Sequence, residues 1–179
     1  MPGCRRAGRG ALGVGVEADA THGLRDRVLI RELADRYARA VDRRDFETLA
    51  ALFTPDARLA IHSGSAPAGA MRADLRGRDA IVDALRSIAR FETTTHFVGN
   101  QLVELGDHLR AERASAETYA LAFHLTRGAG GAQNRVVAVR YRDALVRDAG
   151  GWRFAERVLS LDWEMELPAT LPDPGDASG

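Results

Sequence analysis

Apolar residues Ile30, Leu33, Ala34, Tyr37 and Val41 recur at spacings of three and four between residues 24 and 43, and arginines and acids fill the positions between them. One apolar stripe at that period predicts an amphipathic helix. Asp45 then has the chemistry of an N-cap, so residues 46–53 predict a second, short helix that Pro55 ends. Asp42-Arg43-Arg44-Asp45 is therefore a joint between two helices. Residues 57–62 read as a strand, a Gly/Ser/Ala/Pro loop runs through Ala70, and Gly77-Arg78-Asp79 opens a third helix that extends to about Arg90.

Beyond that helix the pattern changes for good. Residues 94–105, 109–126, 135–147 and 151–164 predict four strands joined by Gly-Asp, Gly-rich and Ala-Gly-Gly turns. Helices first and a meander of long antiparallel strands afterwards indicate an α+β fold. A twisted sheet with helices on one face can keep a concave cavity at one end. Side-chain alternation puts His96, Val98, Asn100 and Leu102 on one face of their strand, and His124 with the small residues Ala120 and Ala122 on one face of the next.

With 179 residues, 45% hydrophobic and 28% charged, the chain has the length and composition of one globular domain. Its 25 basic and 25 acidic residues balance, so no overall field draws in phosphate backbones or anionic membranes, and nucleic acid is not an expected partner. Every basic residue is arginine, which removes lysine Schiff-base chemistry and the phosphate-loop lysine; codon bias explains the preference most simply. Cys4 is alone, so no disulfide framework or thiolate metal site is expected, in keeping with a cytoplasmic protein. No stretch approaches the roughly 18 apolar residues of a membrane span. Residues 1–22 read as a disordered extension or as the product of a start codon placed too early. They have no apolar run that would make a signal peptide. Residues 23–167 form the expected domain and 168–179 a linker-like tail.

Candidate chemistry concentrates in few residues. His96, in Thr94-Thr95-His96-Phe97-Val98-Gly99-Asn100, can exchange a proton near neutral pH, and Asp42 can hold an imidazole in one tautomer. Asp42 sits at the negative end of a helix dipole, which costs about 0.3–1 kcal/mol unless something offsets it. Arg39, Arg43 or Arg44 would do so at the surface, and a histidine partner would do so in a site. Tyr37 lies on the apolar stripe, with a hydroxyl that needs a partner, but an ideal helix separates it from Asp42 by about 140°. His124 is either an exposed strand-end residue or part of the site. His62 is a candidate for the pocket rim, His22 and His108 read as solvent residues, and Trp152 and Trp163 read as core or rim. No phosphate loop, dinucleotide fingerprint, nucleophile elbow or paired-histidine zinc helix is present, so neither a cofactor nor a metal is expected.

The order of the segments Tyr37-Ala-Arg-Ala-Val-Asp42, Phe53-Thr-Pro-Asp-Ala, Gly77-Arg-Asp-Ala-Ile, Thr95-His96-Phe-Val-Gly-Asn100, Gly151-Trp152-Arg-Phe and Leu161-Asp-Trp163 resembles SnoaL-like proteins of the nuclear transport factor 2 superfamily, over about residues 24–166. The resemblance implies a cone-shaped roll of curved antiparallel sheet packed with three N-terminal helices around an internal apolar pocket. Scytalone dehydratase and bile-acid 7α-dehydratase are the nearest enzymes by motif. It implies that Asp42 and His96 form the proton-transfer pair, that Tyr37 matches a first-helix tyrosine, and that His124 approximately matches a second histidine. Val41 and about Ile61 stand where scytalone dehydratase has substrate-polarising tyrosines, so that substrate is not implied, and Tyr37 or Tyr141 would supply a phenolic donor instead. Val41, Ile61, His62, Val98, Asn100 and Tyr141 are the expected pocket residues.

Two functions follow. One is a cofactor-independent dehydratase, isomerase or cyclase acting on a hydrophobic cyclic molecule of polyketide, steroid or terpenoid type, with Asp42, His96, Tyr37 and His124 catalytic. The other is a non-catalytic ligand-binding or oligomer-forming subunit of the same fold. A homodimer or homotrimer is the expected assembly, because an antiparallel sheet leaves an outer face to pair.

Overall fold

Ile30, Leu33, Ala34, Tyr37, Ala38 and Val41 lie on one side of helix α1 (Leu12–Arg43), and all six are buried. The computed structural model describes residues 12–64, 70–106 and 112–171. Cys4 and His108, and the side chain of His22, lie outside the described residues. Helix α1 begins well before Leu24, so the disordered extension expected over residues 1–22 gives way to helix from Leu12 onward. The physical reason is cooperative: the packed downstream turns supply the nucleus, and a segment without proline then propagates it residue by residue.

Helix α2 (Phe46–Ala51) starts at Asp45, whose carboxylate accepts from the backbone N of Thr48 at 3.0 Å and from its hydroxyl at 2.7 Å. The helix is shorter than its apolar residues suggest, because Phe53 already enters strand β1 (Phe53–Ser63). Strand β2 (Met71–Arg76) was not anticipated. Its six residues are mostly exposed and carry no alternation strong enough to read. Helix α3 (Arg78–Leu85) continues as a 3-10 turn, Arg86–Arg90, and four long strands follow: β3 (Thr93–Leu105), β4 (Arg113–Gly128), β5 (Gly131–Asp148) and β6 (Gly151–Ala169). Strand β6 runs two residues beyond Leu167, into the segment expected to be tail.

The six strands form one unclosed sheet in the order β2-β1-β6-β5-β4-β3. Strands β3 to β6 make the expected antiparallel meander, and β1 joins it parallel to β6, so the sheet is mixed. The first strand is thereby placed between β2 and the last strand β6, a long-range pairing that a purely local pattern cannot show. Strand β3 is an edge, and α1 covers it. Arg31 donates to the carbonyl oxygens of Gly99 at 2.6 Å and Val98 at 3.1 Å, and Arg27 donates to that of Val103. These guanidinium groups occupy acceptors that would otherwise invite another strand.

The side of the sheet under the helices is apolar, with Leu59, Ala120, Ala122, Val137, Val139, Tyr141, Leu145 and Phe154 in one core cluster with the buried residues of the helices. Within it lies a buried ion pair. Arg157 on β6 meets Asp143 on β5 through two parallel hydrogen bonds of 2.8 Å, and both side chains are 1% exposed. The rings of Phe154, Tyr37 and Tyr141 enclose the guanidinium at 3.9, 4.2 and 4.3 Å. A charge so placed is tolerable only while its partner remains, since an unpaired buried ion typically costs about 3–5 kcal/mol.

Replacing Asp143 by Leu is expected to lower unfolding free energy by about that amount, 3–5 kcal/mol. The double variant Asp143→Leu with Arg157→Met should recover most of it. Urea unfolding measures both, and a single variant as stable as the parent would show that Arg157 reaches water.

Candidate active site

The end of α1 fixes the first element of the site. The chain closes the helix through Arg44 N to Val41 O at 3.2 Å and Asp45 N to Ala40 O at 2.9 Å, the bonding pattern of a left-handed helix stop. Asp42 therefore occupies the last turn with its side chain turned towards β3. There the carboxylate meets three donors. Oδ1 accepts from Nδ1 of His96 at 2.6 Å and from the hydroxyl of Thr94 at 2.9 Å, and Oδ2 accepts from the backbone N of His96 at 2.8 Å.

These bonds decide the protonation states. Burial alone would raise the Asp42 pKa, but the hydrogen bonds from the His96 ring and backbone, the His96 charge and the Thr94 hydroxyl outweigh it and hold the carboxyl below its ordinary value. An ionised carboxylate only accepts, so the proton between the two side chains belongs to His96 Nδ1. Nε2 then carries the lone pair, and it has no hydrogen-bond partner among the described residues. The ring's second nitrogen is directed away from this anchor. The cost of an acid at a helix C-terminus is offset by these contacts and not by a surface arginine. Arg44 bonds instead to the backbone oxygen of Asp42 at 2.5 Å and to Thr94 at 2.9 Å.

His124, one strand away, faces the same side. Its ring stands edge-on to His96 at 5.7 Å and lies against Phe91 at 4.6 Å, and its Nδ1 is buried with no partner among the described residues. Burial, followed by repulsion from His96, pushes its pKa down to about 4, so it is neutral at pH 7. With its other ring nitrogen hydrogen-bonded to the backbone of Arg135, neutral His124 has Nδ1 left to offer a guest.

Tyr37 and Tyr141 do not join the Asp42–His96 pair. Their rings meet edge-to-face at 6.0 Å beside Arg157, and burial raises the pKa of both hydroxyls. The helical angle between Tyr37 and Asp42 is the reason: the phenol enters the core and the carboxylate meets the sheet edge. Val41 is buried, Ile61 packs partly buried against the core, and His62 is half-buried near the end of β1. Val98 lines the recess at the pair, a hollow of about 310 Å³ that Asp35, Ala38, Arg39, Arg43 and Phe97 also bound. It is more polar than the apolar pocket expected.

Asn100 is on the other face. Gly99 and Asn100 together oppose the single residue Tyr119, a β-bulge between Val98 and Gln101 that reverses the alternation of β3. Asn100 and Leu102 consequently point outwards, and Gln101 and Val103 take the inner positions. Gly99 is suited to the bulge because a Cβ there would lie 3.1 Å from the carbonyl oxygen of Tyr119. The Gly99-Asn100 pair that follows His96 on β3 therefore shapes the backbone. Asn100 borders a second groove, of about 630 Å³, on the outer side with Phe97, Tyr119, Leu121, Arg140 and Trp163.

Sequence reasoning considered Arg44 only as a surface counter-charge to Asp42, gave the Thr94 hydroxyl no partner, and did not pick out the pair Asp143 and Arg157. For the last pair a signal existed: Val139, Tyr141, Asp143 and Leu145 alternate inwards on one strand, and an acid in that series demands a buried cation.

A family model described as a SnoaL-like domain matches residues 23–158. Comparison with curated proteins gives no match. Among solved structures, a hexachlorocyclohexane dehydrochlorinase (LinA) type 2 superposes with a TM-score of 0.69 at 20% identity, covering 87% of this chain and 99% of that one. A protein named as a scytalone dehydratase from Novosphingobium aromaticivorans gives 0.66 at 24% identity over 86% and 93%. An NTF2-like protein with a cystatin-like fold from the same species gives 0.64 at 27% identity over 85% and 92%.

The low pKa of His124 has a measurable consequence. Between pH 6.5 and about 4 the unfolded chain takes up a proton that the folded protein resists, so stability falls as pH is lowered through that window and is unaffected above it. Asp42 acts in the same direction at lower pH, its contribution being lost only as the pH drops below 3.8. Urea midpoints at pH 7 and 4.5 should differ less in His124→Leu than in the parent; parallel losses would place the histidine in water.

Proposed function

This chain belongs to the SnoaL-like domain family, and from that premise we propose that it is a cofactor-independent lyase that removes a proton from carbon in a hydrophobic cyclic small molecule and expels a leaving group from the neighbouring carbon. The observation that carries this reading is the 2.6 Å bond between Asp42 and His96 Nδ1, with Nε2 left free of other partners among the described residues. Similarity of fold to a dehydrochlorinase and to a protein named as a dehydratase supports elimination over the isomerisation and cyclisation that the same pair would also serve.

In this reaction His96 Nε2 takes the proton, the C–H pair becomes the new double bond, and the leaving group departs with its own electrons. The resulting imidazolium is stabilised by the Asp42 carboxylate 2.6 Å away, which remains ionised throughout. When the leaving group is hydroxyl, the imidazolium returns the proton to it and water is released. The unpartnered Nδ1 of His124 accepts a hydrogen bond from a substrate hydroxyl, while Tyr37 and Tyr141 stay in the core beside Arg157 and shape the protein behind the site. Of the expected pocket residues Val98 contacts the apolar skeleton, together with Ala38 and Phe97 of the recess. The outer face, with Phe97 at 65%, Trp163 at 48% and Met165 at 44% exposure, is the surface we assign to homodimer or homotrimer contact.

The test is a screen of cyclic ketols and halogenated cyclic compounds, followed by absorbance of the new double bond. On any substrate found, His96→Ala should lower turnover by about 10²–10⁴-fold, with its circular dichroism spectrum and unfolding midpoint close to the parent. Undiminished turnover in that variant contradicts the mechanism. Tight ligand binding without turnover in the parent would favour a binding subunit.

A further inference from the structure

Arg44 is the one non-glycine residue with positive φ among the described residues, at φ 56. Its place, just past the end of α1, is where a chain needs the left-handed conformation that glycine adopts freely and that a Cβ disfavours. The helix stop itself uses only backbone groups, from Arg44 N to Val41 O and from Asp45 N to Ala40 O, and glycine would close the same turn without strain. Strain held at one residue asks what its side chain does.

The guanidinium answers directly. Nη1 donates to the carbonyl oxygen of Asp42 at 2.5 Å and to Oγ1 of Thr94 at 2.9 Å, and Nη2 donates to the carbonyl oxygen of Phe91 at 3.0 Å. Arginine has donors only, so the Thr94 oxygen is an acceptor in this contact. The Thr94 proton must then go elsewhere. The acceptor in reach is Asp42 Oδ1, at 2.9 Å, and Thr94 is 4% exposed, so water does not compete for it. The same carboxylate oxygen receives the proton of His96 Nδ1.

We propose that Arg44 is a positioning residue that orders the direction of a hydrogen-bond chain, from its own guanidinium through the Thr94 hydroxyl to the Asp42 carboxylate and His96, and so selects the tautomer with the lone pair on His96 Nε2. The proposal rests on the reading of His96 as the base, and adds what keeps that base in its reactive form. Without Arg44 the Thr94 hydroxyl is free to rotate, one donor that fixes the carboxylate is lost, and Asp42, less firmly held against Nδ1, no longer confines the ring to one tautomer.

The experiment is nitrogen-15 NMR of the histidine rings in the full chain at pH 8, together with thermal unfolding, and it needs no substrate. In the parent, His96 should show one nitrogen with the shift of a protonated ring nitrogen and one with that of a free lone pair. Arg44→Gly should unfold at the same or a higher temperature, because glycine relieves the turn, yet its His96 shifts should move towards the average of the two tautomers. Parent-like His96 shifts in Arg44→Gly would reduce Arg44 to a helix stop and overturn the proposal, whatever the unfolding temperature. Thr94→Val, which keeps the shape and removes the hydroxyl, should show the same averaging, and Thr94→Ser should restore the parent shifts. Parent-like shifts in Thr94→Val overturn the proposal even if Arg44→Gly does not fold. Because the readout is the ring itself, failure here leaves His96 standing as base, and failure of the turnover assay on His96→Ala leaves the order of the hydrogen bonds standing.

Discussion

A carboxylate in the last turn of a helix faces the partial negative charge of the unsatisfied carbonyls, and Asp42 stays there ionised because β3 brings three donors to it. That single convergence sets the rest of the site. It needs α1 to stop at Arg43, the chain to turn through a left-handed residue, and β3 to lie along the helix with Thr94 and His96 on its near side. Movement of any of these by one residue removes the pairing, since one step along a strand exchanges its faces and one step along a helix rotates a side chain by about 100°.

The sheet edge explains how so exacting a placement survives. Carbonyl groups of β3 that face α1 are occupied by Arg31 and Arg27, which tie helix to strand just beyond the Asp42–His96 pair. The bulge at Gly99 and Asn100 turns the Val98 and Gly99 carbonyls towards Arg31. At the other side of the helix, buried Asp26 accepts from Trp152 and pairs with Arg147, anchoring α1 to the β5–β6 hairpin. The position of Asp42 is therefore held by polar staples at several points along one long helix, over an apolar stripe that alone would tolerate sliding.

The features legible in the sequence were those carried by local periodicity. The helical stripe from Ile30 to Val41, the N-cap at Asp45 and the four long strands all arise from neighbours in the chain, and the family resemblance tied Asp42 to His96. What was not legible depended on contacts between distant segments. The bulge that sends Asn100 outwards shows only in the register against Tyr119. The short strand β2 has too few apolar residues to announce itself, and the parallel pairing of β1 with β6 is a matter of topology. Tyr37 illustrates the division well: its place on the apolar stripe was right, and that same place directs its hydroxyl to Arg157 and away from Asp42.

A histidine with one nitrogen committed to a carboxylate and the other open is the arrangement the proposed proton transfer needs, because the carboxylate steadies charge that forms on the ring. The central claim is thus that Asp42 and His96 act as one unit. A double-mutant cycle on unfolding free energy, with Asp42→Asn, His96→Gln and the pair together, tests this most directly. The account predicts a coupling of about 1.5–3 kcal/mol, the range for a hydrogen bond to a charged group. Additive losses, with no coupling beyond experimental error, would contradict it.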